Sequence, residues 1–208
     1  MSLIEYLKRL DKIFFILIHN DSDHRVLDYI MLGIRNLLSW IPIYIFMIFF
    51  AFKKGGNKAW IFILFSMITI AIAACTTEIF LKPLFSRISP CFDPEVHNYL
   101  RSIIECKGKY SFPSSIAANC AALTAFWYWS FSNITGRKWK WLWTWPLLVC
   151  YAQIYVGVNF PSDVVAGSIL GIVIGTTIAK IFQLQIDAKL PIKNLLLFSK
   201  SHHAPNSQ

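Results

Sequence analysis

Charge is scarce along this chain. Of its 208 residues, 15% are Asp, Glu, Lys or Arg, against about 25% in an average soluble domain. Acids are scarcer still, 11 against 20 Lys and Arg, giving a formal net charge of +9. The excess of base is scattered between apolar runs and gathers into no face or binding motif, so no nucleic-acid partner is expected. There is no internal repeat and no polar stretch long enough for a second, soluble domain. The opening Met1-Ser-Leu-Ile-Glu5 carries an acid and lacks a small-residue cleavage site, so no signal peptide is expected. Cysteines number five. Cys75, Cys120 and Cys150 lie inside apolar runs and read as small buried hydrophobes. Cys91 and Cys106 stand in a polar loop, with unlinked thiols and a disulfide as the two readings. If the loop faces an oxidising compartment, a bridge is expected; closing about 15 residues, it contributes about 3 kcal/mol.

What remains is apolar. A hydrophobic fraction of 56% and a mean hydropathy of +0.51 predict a polytopic membrane protein. The expected fold class is all-α, a helix bundle of five transmembrane helices, or six if the first helix inserts. Residues 1–24 form an interfacial or partly inserted amphipathic helix, 25–185 the transmembrane domain and 186–208 a basic cytoplasmic tail. Expected spans are 26–52, 60–80, 114–131, 141–158 and 164–182. Arg35 and Asn36 fall within the first, where a charge is either functional or snorkels to the interface. Glu78 stands one turn before Lys82, so an i,i+4 ion pair is available. Trp141, Trp143 and Trp145 read as an interfacial belt, and His19 and His24 as solvated turn residues. Gly167, Gly171 and Gly175 recur every four residues and give one helix face close packing, with a helix-packing partner as the candidate. The basic turns at 53–58 and 133–140 and the tail fall on one side, cytoplasmic by charge. The polar loop 81–112 then faces outward, and so does every motif residue described next.

Three polar stretches stand at the mouths of these helices. They are Lys82-Pro-Leu-Phe-Ser-Arg-Ile-Ser-Pro90, Ser111-Phe-Pro-Ser-Ser-Ile116 and Tyr151-Ala-Gln-Ile-Tyr-Val-Gly-Val-Asn-Phe-Pro-Ser-Asp163. Together they resemble the signature of the type 2 phosphatidic acid phosphatase superfamily, which also includes the vanadium haloperoxidases: K-x6-R-P, then P-S-G-H, then S-R-x5-H-x3-D. The resemblance spans roughly 26–182. The spacing is kept and much of the chemistry is changed. Lys82, Pro90, Pro113, Ser114 and Asp163 match, while Ser89 and Gln153 replace arginines, Ser115 a glycine, and Ile116 and Asn159 histidines.

The resemblance implies a role for each position. A His at 159 attacks phosphorus, Asp163 orients it, and a His at 116 protonates the leaving alkoxide. Lys82, arginines at 89 and 153, and backbone N–H groups beside Ser114 and Ser115 hold the phosphate; no metal or other cofactor is expected. Asp163 reads equally as an N-cap of the last helix. Asn159 has no nitrogen basic enough for nucleophilic attack, and Ile116 can move no proton, a function typically worth about 10²–10⁴ in rate. Ser89 and Gln153 discard two fixed cations suited to bidentate phosphate contact. Of possible substitutes, Arg87 stands two residues before Ser89, and His97 is the one imidazole of the polar loop. These losses predict a catalytically inactive relative of membrane lipid phosphatases, keeping a weak lipid-phosphate-binding or scaffold role. Its partners would be membrane lipids, with phospholipid or polyprenyl-phosphate headgroups at the site. The competing expectation is an active lipid phosphate or polyprenyl pyrophosphate phosphatase with a rearranged site. Either is expected in a bacterial inner membrane with its motif site facing the periplasm or exterior.

Overall fold

The computed structural model describes residues 3–20, 25–56, 59–101, 103 and 108–188. Among them the chain is helical, with one isolated antiparallel bridge between Ile88 and Tyr110. The order is α1 (Leu3–Asn20), α2 (Arg25–Arg35), α3 (Ile41–Gly55), α4 (Ala59–Cys75), α5 (Lys82–Phe85), α6 (Ser115–Thr135), α7 (Thr144–Tyr155) and α8 (Pro161–Ala188). A π-helical stretch, Thr76–Leu81, joins α4 to α5 without a break. Ser114 caps α6 by accepting the Ala117 N–H at 3.4 Å, and Gly136, with φ of 69°, ends it.

The span expected at 26–52 is not one helix. Asn36 interrupts it, its Oδ1 accepting the Leu38 N–H at 3.1 Å and opening the 3-10 turn Leu37–Trp40. Such local side-chain bonds compete with helix continuation, and Pro42 then fits the first turn of α3. The break lets α2 pack on α7 as a separate element. Three helical stretches are long and apolar enough to cross a membrane: Leu37–Gly55, Ala59–Phe85 and Pro161–Asp187. For α6 and α7 the expectation of a span rests on the sequence pattern alone.

At the centre, α6 packs along α8. Ala117, Ala118, Ala121, Ala122 and Ala125 of α6 are all buried. A Cβ built on Gly167, Gly171 or Gly175 would come closer than 3.0 Å to the carbonyl oxygens of Ser114, Ala118 and Ala122 respectively. The glycine stripe expected to receive a partner is therefore consumed inside the chain, because only bare backbone lets α6 and α8 approach this closely. Away from the motif end an aromatic layer fills the space: Phe62 contacts Phe126, Phe131 and Phe182, and Trp127 stacks on Trp145 with centroids 5.8 Å apart. Trp145 is thus core, 1% exposed, rather than part of an interfacial belt, whereas Trp141 is 47% exposed. The two basic turns do lie at one end, since Lys54 and Asn133 line the same recess and Phe50 packs on Trp139 at 4.5 Å.

The first helix lies across α7 and α8 at the other end. Phe15 and His19 are fully buried, while Leu7, Phe14 and Leu17 are exposed. Lys12 reaches the loop after α5, bonding Asp93 at 2.7 Å and Glu95 at 2.9 Å.

Candidate functional site

Local backbone geometry assembles the three motif stretches. The Ser114 N–H donates to the Asp163 carbonyl at 3.0 Å, tying the start of α6 to the start of α8. The Ser111 N–H bonds the Arg87 carbonyl at 2.9 Å, tying the first stretch to the second. Gly157 turns the chain after α7 with φ of 89°, a conformation that glycine adopts at no steric cost. The turn delivers Asn159 beside Ser114.

Lys82, Ser89, Ser114, Ser115, Ile116, Gln153 and Asn159, all singled out from the sequence, line one cavity of about 140 Å³. Arg35, Glu78 and Tyr110 complete its polar wall. Asn159 is held at both ends: its Oδ1 accepts the Ser114 hydroxyl at 3.1 Å and its Nδ2 donates to the Ser111 carbonyl at 3.0 Å. The position expected of a nucleophile therefore serves as a strut. Ile116 is half-buried and packs against the aromatic core below. Ser89, 4% exposed, gives its hydroxyl to the Gly108 carbonyl at 3.4 Å.

Charge and reactive hydroxyl meet at Glu78. Its Oε1 accepts Lys82 Nζ at 2.7 Å, the ion pair expected from the spacing, and the Ser115 hydroxyl at 2.5 Å. Ser115 is the first residue of α6, where unsatisfied N–H groups and the helix dipole favour an anion. Across the cavity, Arg35 donates from Nε to Gln153 Oε1 at 3.3 Å. Gln153 is fully buried and its Nε2 has no hydrogen-bond partner among the described residues. The sequence left Arg35 open between a functional charge and one that snorkels, without linking it to the motif stretches. Its signal was an arginine inside an apolar stretch, a position that charge rarely occupies without a partner.

Asp163 lies outside this cavity wall. Its carboxylate is fully buried, accepting the Phe160 N–H at 2.9 Å and Arg87 Nη1 at 2.7 Å. The first bond is the reach-back of the third residue of α8, so Asp163 is not the N-cap, a place Phe160 holds, but caps the helix from inside its first turn. It makes no hydrogen bond to the Asn159 side chain; its cation is Arg87, which also donates to Ser162 Oγ at 2.6 Å and to Asp11 Oδ2 at 2.5 Å, with Phe160 beneath it. Arg87 therefore brings no cation to the cavity. The side chain of His97, the alternative imidazole, lies outside the described residues.

Two further expectations concern the rim. His19 is not a solvated turn residue: it lies in the last turn of α1, stacks on Phe15, and accepts the Arg101 N–H at Nε2, 2.8 Å away. Its Nδ1 then donates to the Tyr155 carbonyl at 2.7 Å. Cys91 is disulfide-bonded, while Cys75, Cys120 and Cys150 are free; Cys106, its expected partner, lies outside the described residues, as does His24. Among the described residues no three His, Cys, Asp or Glu side chains gather as a metal site requires.

With this geometry in hand, similarity to known proteins places the chain. The family model described as PAP2 superfamily matches residues 58–187. The lipid A 4'-phosphatase of Porphyromonas gingivalis is 28% identical over 183 residues, 86% of this chain and 75% of that protein. The lipid A 4'-phosphatase of Bacteroides thetaiotaomicron is 28% identical over 174 residues, 81% of this chain and 75% of the relative. Among solved structures, the PAP2 type phosphatidylglycerolphosphate phosphatase of Bacillus subtilis superposes with a TM-score of 0.65 at 18% identity, covering 87% of this chain and 88% of that one. Aquifex aeolicus LpxE gives a TM-score of 0.56 at 25% identity, covering 80% of this chain and 93% of that one. The helical membrane-type fold expected from the sequence is thereby established. The expectation of an inactive protein is overturned: the relatives matched over most of the chain are named as lipid A 4'-phosphatases, which favours the competing expectation of a phosphatase with a rearranged site.

Proposed function

The chain belongs to the PAP2 superfamily, and from that premise we propose that it hydrolyses a phosphate monoester of a membrane lipid. The substrate class is the one its relatives are named for, a lipid A 4'-phosphate. The site faces the periplasm or exterior of a bacterial inner membrane, because the basic turns at the far end belong on the cytoplasmic side.

One observation carries the reading. The Ser115 hydroxyl, at the N-terminus of α6 and on the cavity wall, is held at 2.5 Å by the carboxylate that also binds Lys82. A hydroxyl so held can attack phosphorus where Asn159 cannot. Phosphoryl transfer asks little basicity of its base and much of positioning and charge, and carboxylates serve as bases for hydroxyl nucleophiles in that chemistry.

In the first step the Ser115 Oγ–P bond forms as the P–O bond to the lipid breaks, and the serine proton passes to Glu78. The departing alkoxide takes a proton from water at the mouth, since Ile116 has none to give, leaving hydroxide. In the second step water attacks phosphorus, the Ser115 oxygen leaves and recovers its proton from Glu78, and the proton shed by the attacking water neutralises the hydroxide. The sum is lipid phosphate plus water to lipid alcohol plus phosphate.

The test is phosphate release from lipid A by purified protein, wild type against Ser115→Gly. Glycine is the family's own residue at that position, so the variant is built to fold. Wild-type turnover that Ser115→Gly abolishes, with a phosphoserine peptide trapped by acid quench, is the expected result. Turnover that survives Ser115→Gly removes the serine from the mechanism, and no turnover on any lipid phosphate removes the function.

A further inference from the structure

We propose that Arg35, from outside the family's motif, takes the place of the motif arginine missing at position 153 and holds the substrate's phosphoryl oxygens opposite Lys82. The inference deepens the phosphatase reading and rests on it.

The charge requirement comes first. A phosphate monoester brings nearly two negative charges into the site, and the cavity already contains the Glu78 carboxylate. Lys82, bonded to that carboxylate at 2.7 Å, offsets it and leaves nothing for the substrate. Hydrolysis in such a site needs another fixed cation, and the two motif positions that would carry one are Ser89 and Gln153.

Arg35 meets that need. It ends α2, lines the cavity, and reaches Gln153 itself: its Nε donates to Oε1 at 3.3 Å. That bond ties the guanidinium to the side chain that stands where the motif has an arginine. Among the described residues no acceptor is bonded to Nη1 or Nη2, so the two ends suited to a bidentate phosphate contact remain open.

Gln153 gives an independent sign of a ligand. It is fully buried on the same wall, and with its Oε1 taken by Arg35 its Nε2 is left unpartnered. A buried amide donor without an acceptor is destabilising, and a phosphoryl oxygen in the cavity would supply the missing acceptor. Gln153 is then a bridge: its oxygen orients the new cation and its nitrogen donates beside it.

Arg35 precedes residues 58–187, the stretch that the PAP2 family model matches. The break at Asn36 makes the arrangement possible, because a straight helix through 26–52 would not have let α2 settle on α7 separately from α3.

A charge-relocation experiment decides it. Arg35→Ala, Arg35→Lys and the double variant Arg35→Ala/Gln153→Arg are purified and compared with wild type. The readouts are kcat/KM on lipid A and the melting shift that inorganic phosphate induces. Arg35→Ala is expected to lower kcat/KM by about 10²–10³ and to lose the phosphate-induced shift, with its ligand-free melting temperature unchanged. Arg35→Lys, a point charge without the fork, recovers part of the loss. The double variant, which returns the arginine to the family's position, recovers at least about tenfold over Arg35→Ala, a rescue that no structural role for Arg35 would produce. Wild-type kcat/KM and phosphate shift in Arg35→Ala would overturn the assignment, as would a folded double variant no better than the single one. If wild type releases no phosphate from any lipid, the phosphatase reading fails, and the phosphate-induced shift alone still decides whether Arg35 holds the anion.

Discussion

Arg35 and Arg87 both reach the motif end, and neither stands at a position where the family signature has an arginine. They differ in how fully they are bonded. Arg87 is saturated, with Asp11, Ser162 and Asp163 at 2.5 to 2.7 Å and the Phe160 ring beneath. Arg35 makes one long bond, 3.3 Å, to a neutral amide beside an open cavity. A cation whose charge is spent on buried carboxylates fixes the chain. A cation held by its inner nitrogen, with its outer ones free, is set to receive a ligand. The same contrast separates two acids of the motif end, since Asp163 is locked into the start of α8 while Glu78, half exposed, holds a hydroxyl and an amine at the cavity.

The strongest way to sharpen this contrast is to alter Glu78. Glu78→Gln keeps the size and the hydrogen-bonding reach but cannot take the proton of Ser115. Loss of a positioned base typically costs about 10²–10⁴ in rate, so kcat on lipid A should fall by about that factor. The melting temperature should hold, because the Glu78 side chain is 52% exposed and its ion pair contributes little to stability. A melting temperature that drops in step with kcat would move Glu78 to the structural side of the comparison.

Arg87 should behave in the opposite way. Arg87→Ala leaves Asp163, fully buried, and Asp11, 9% exposed, without their cation. Removing one partner of a buried pair typically costs about 3–5 kcal/mol, read by chemical denaturation in detergent. Asp163→Asn in the same chain should return part of that loss, since it removes the stranded charge. If Arg87→Ala melts like wild type and loses turnover instead, the two arginines have been assigned the wrong way round.

Much of this arrangement was legible in the sequence because it is written in local spacing. The interval from Lys82 to Ser89, the run from Ser114 to Ile116 and the run from Gln153 to Asn159 set their own spacing locally, and the backbone bonds from Ser111 to Arg87 and from Ser114 to Asp163 bring them to one cavity. Helix type followed from apolar runs, and the Glu78–Lys82 pair from i,i+4 proximity. What the sequence left hidden depends on contacts between distant segments. Asp11 and Arg87 are 76 positions apart and Arg35 and Gln153 118, and no periodicity announces such pairs. The stripe at Gly167, Gly171 and Gly175 was visible, but spacing says only that something approaches closely, and here that is α6. The signature also misled: judged by its histidines and arginines it lacks a nucleophile and two cations, and the groups proposed to stand in for them are Ser115, at the place of its glycine, and Glu78 and Arg35 from outside it.

The smallest expected effect belongs to His19, which ties the first helix to this end of the molecule. Its Nε2 accepts the Arg101 N–H at 2.8 Å and its Nδ1 faces the Tyr155 carbonyl at 2.7 Å, so both nitrogens are used by the neutral ring. Protonation at Nε2 would set one donor against another. Burial lowers its pKa below 6.5, the charge of Arg101 acts in the same direction, and the Tyr155 carbonyl and Asp28 oppose them. The sign follows from linkage. Above the unfolded value of about 6.5 neither state binds the proton and stability is independent of this group. As pH falls below that value the unfolded chain takes up the proton first, so stability declines until the folded pKa is passed. Melting temperature should therefore be level from about pH 8 to 7 and fall toward pH 5 by more than the carboxylates alone produce. A His19→Gln variant, which does not titrate, isolates that part: its melting temperature should start lower at pH 7.5 and decline less on acidification. Parallel curves for the two proteins would mean that the imidazole is held by shape alone, and that the proton it excludes has no bearing on how firmly the first helix is tied down.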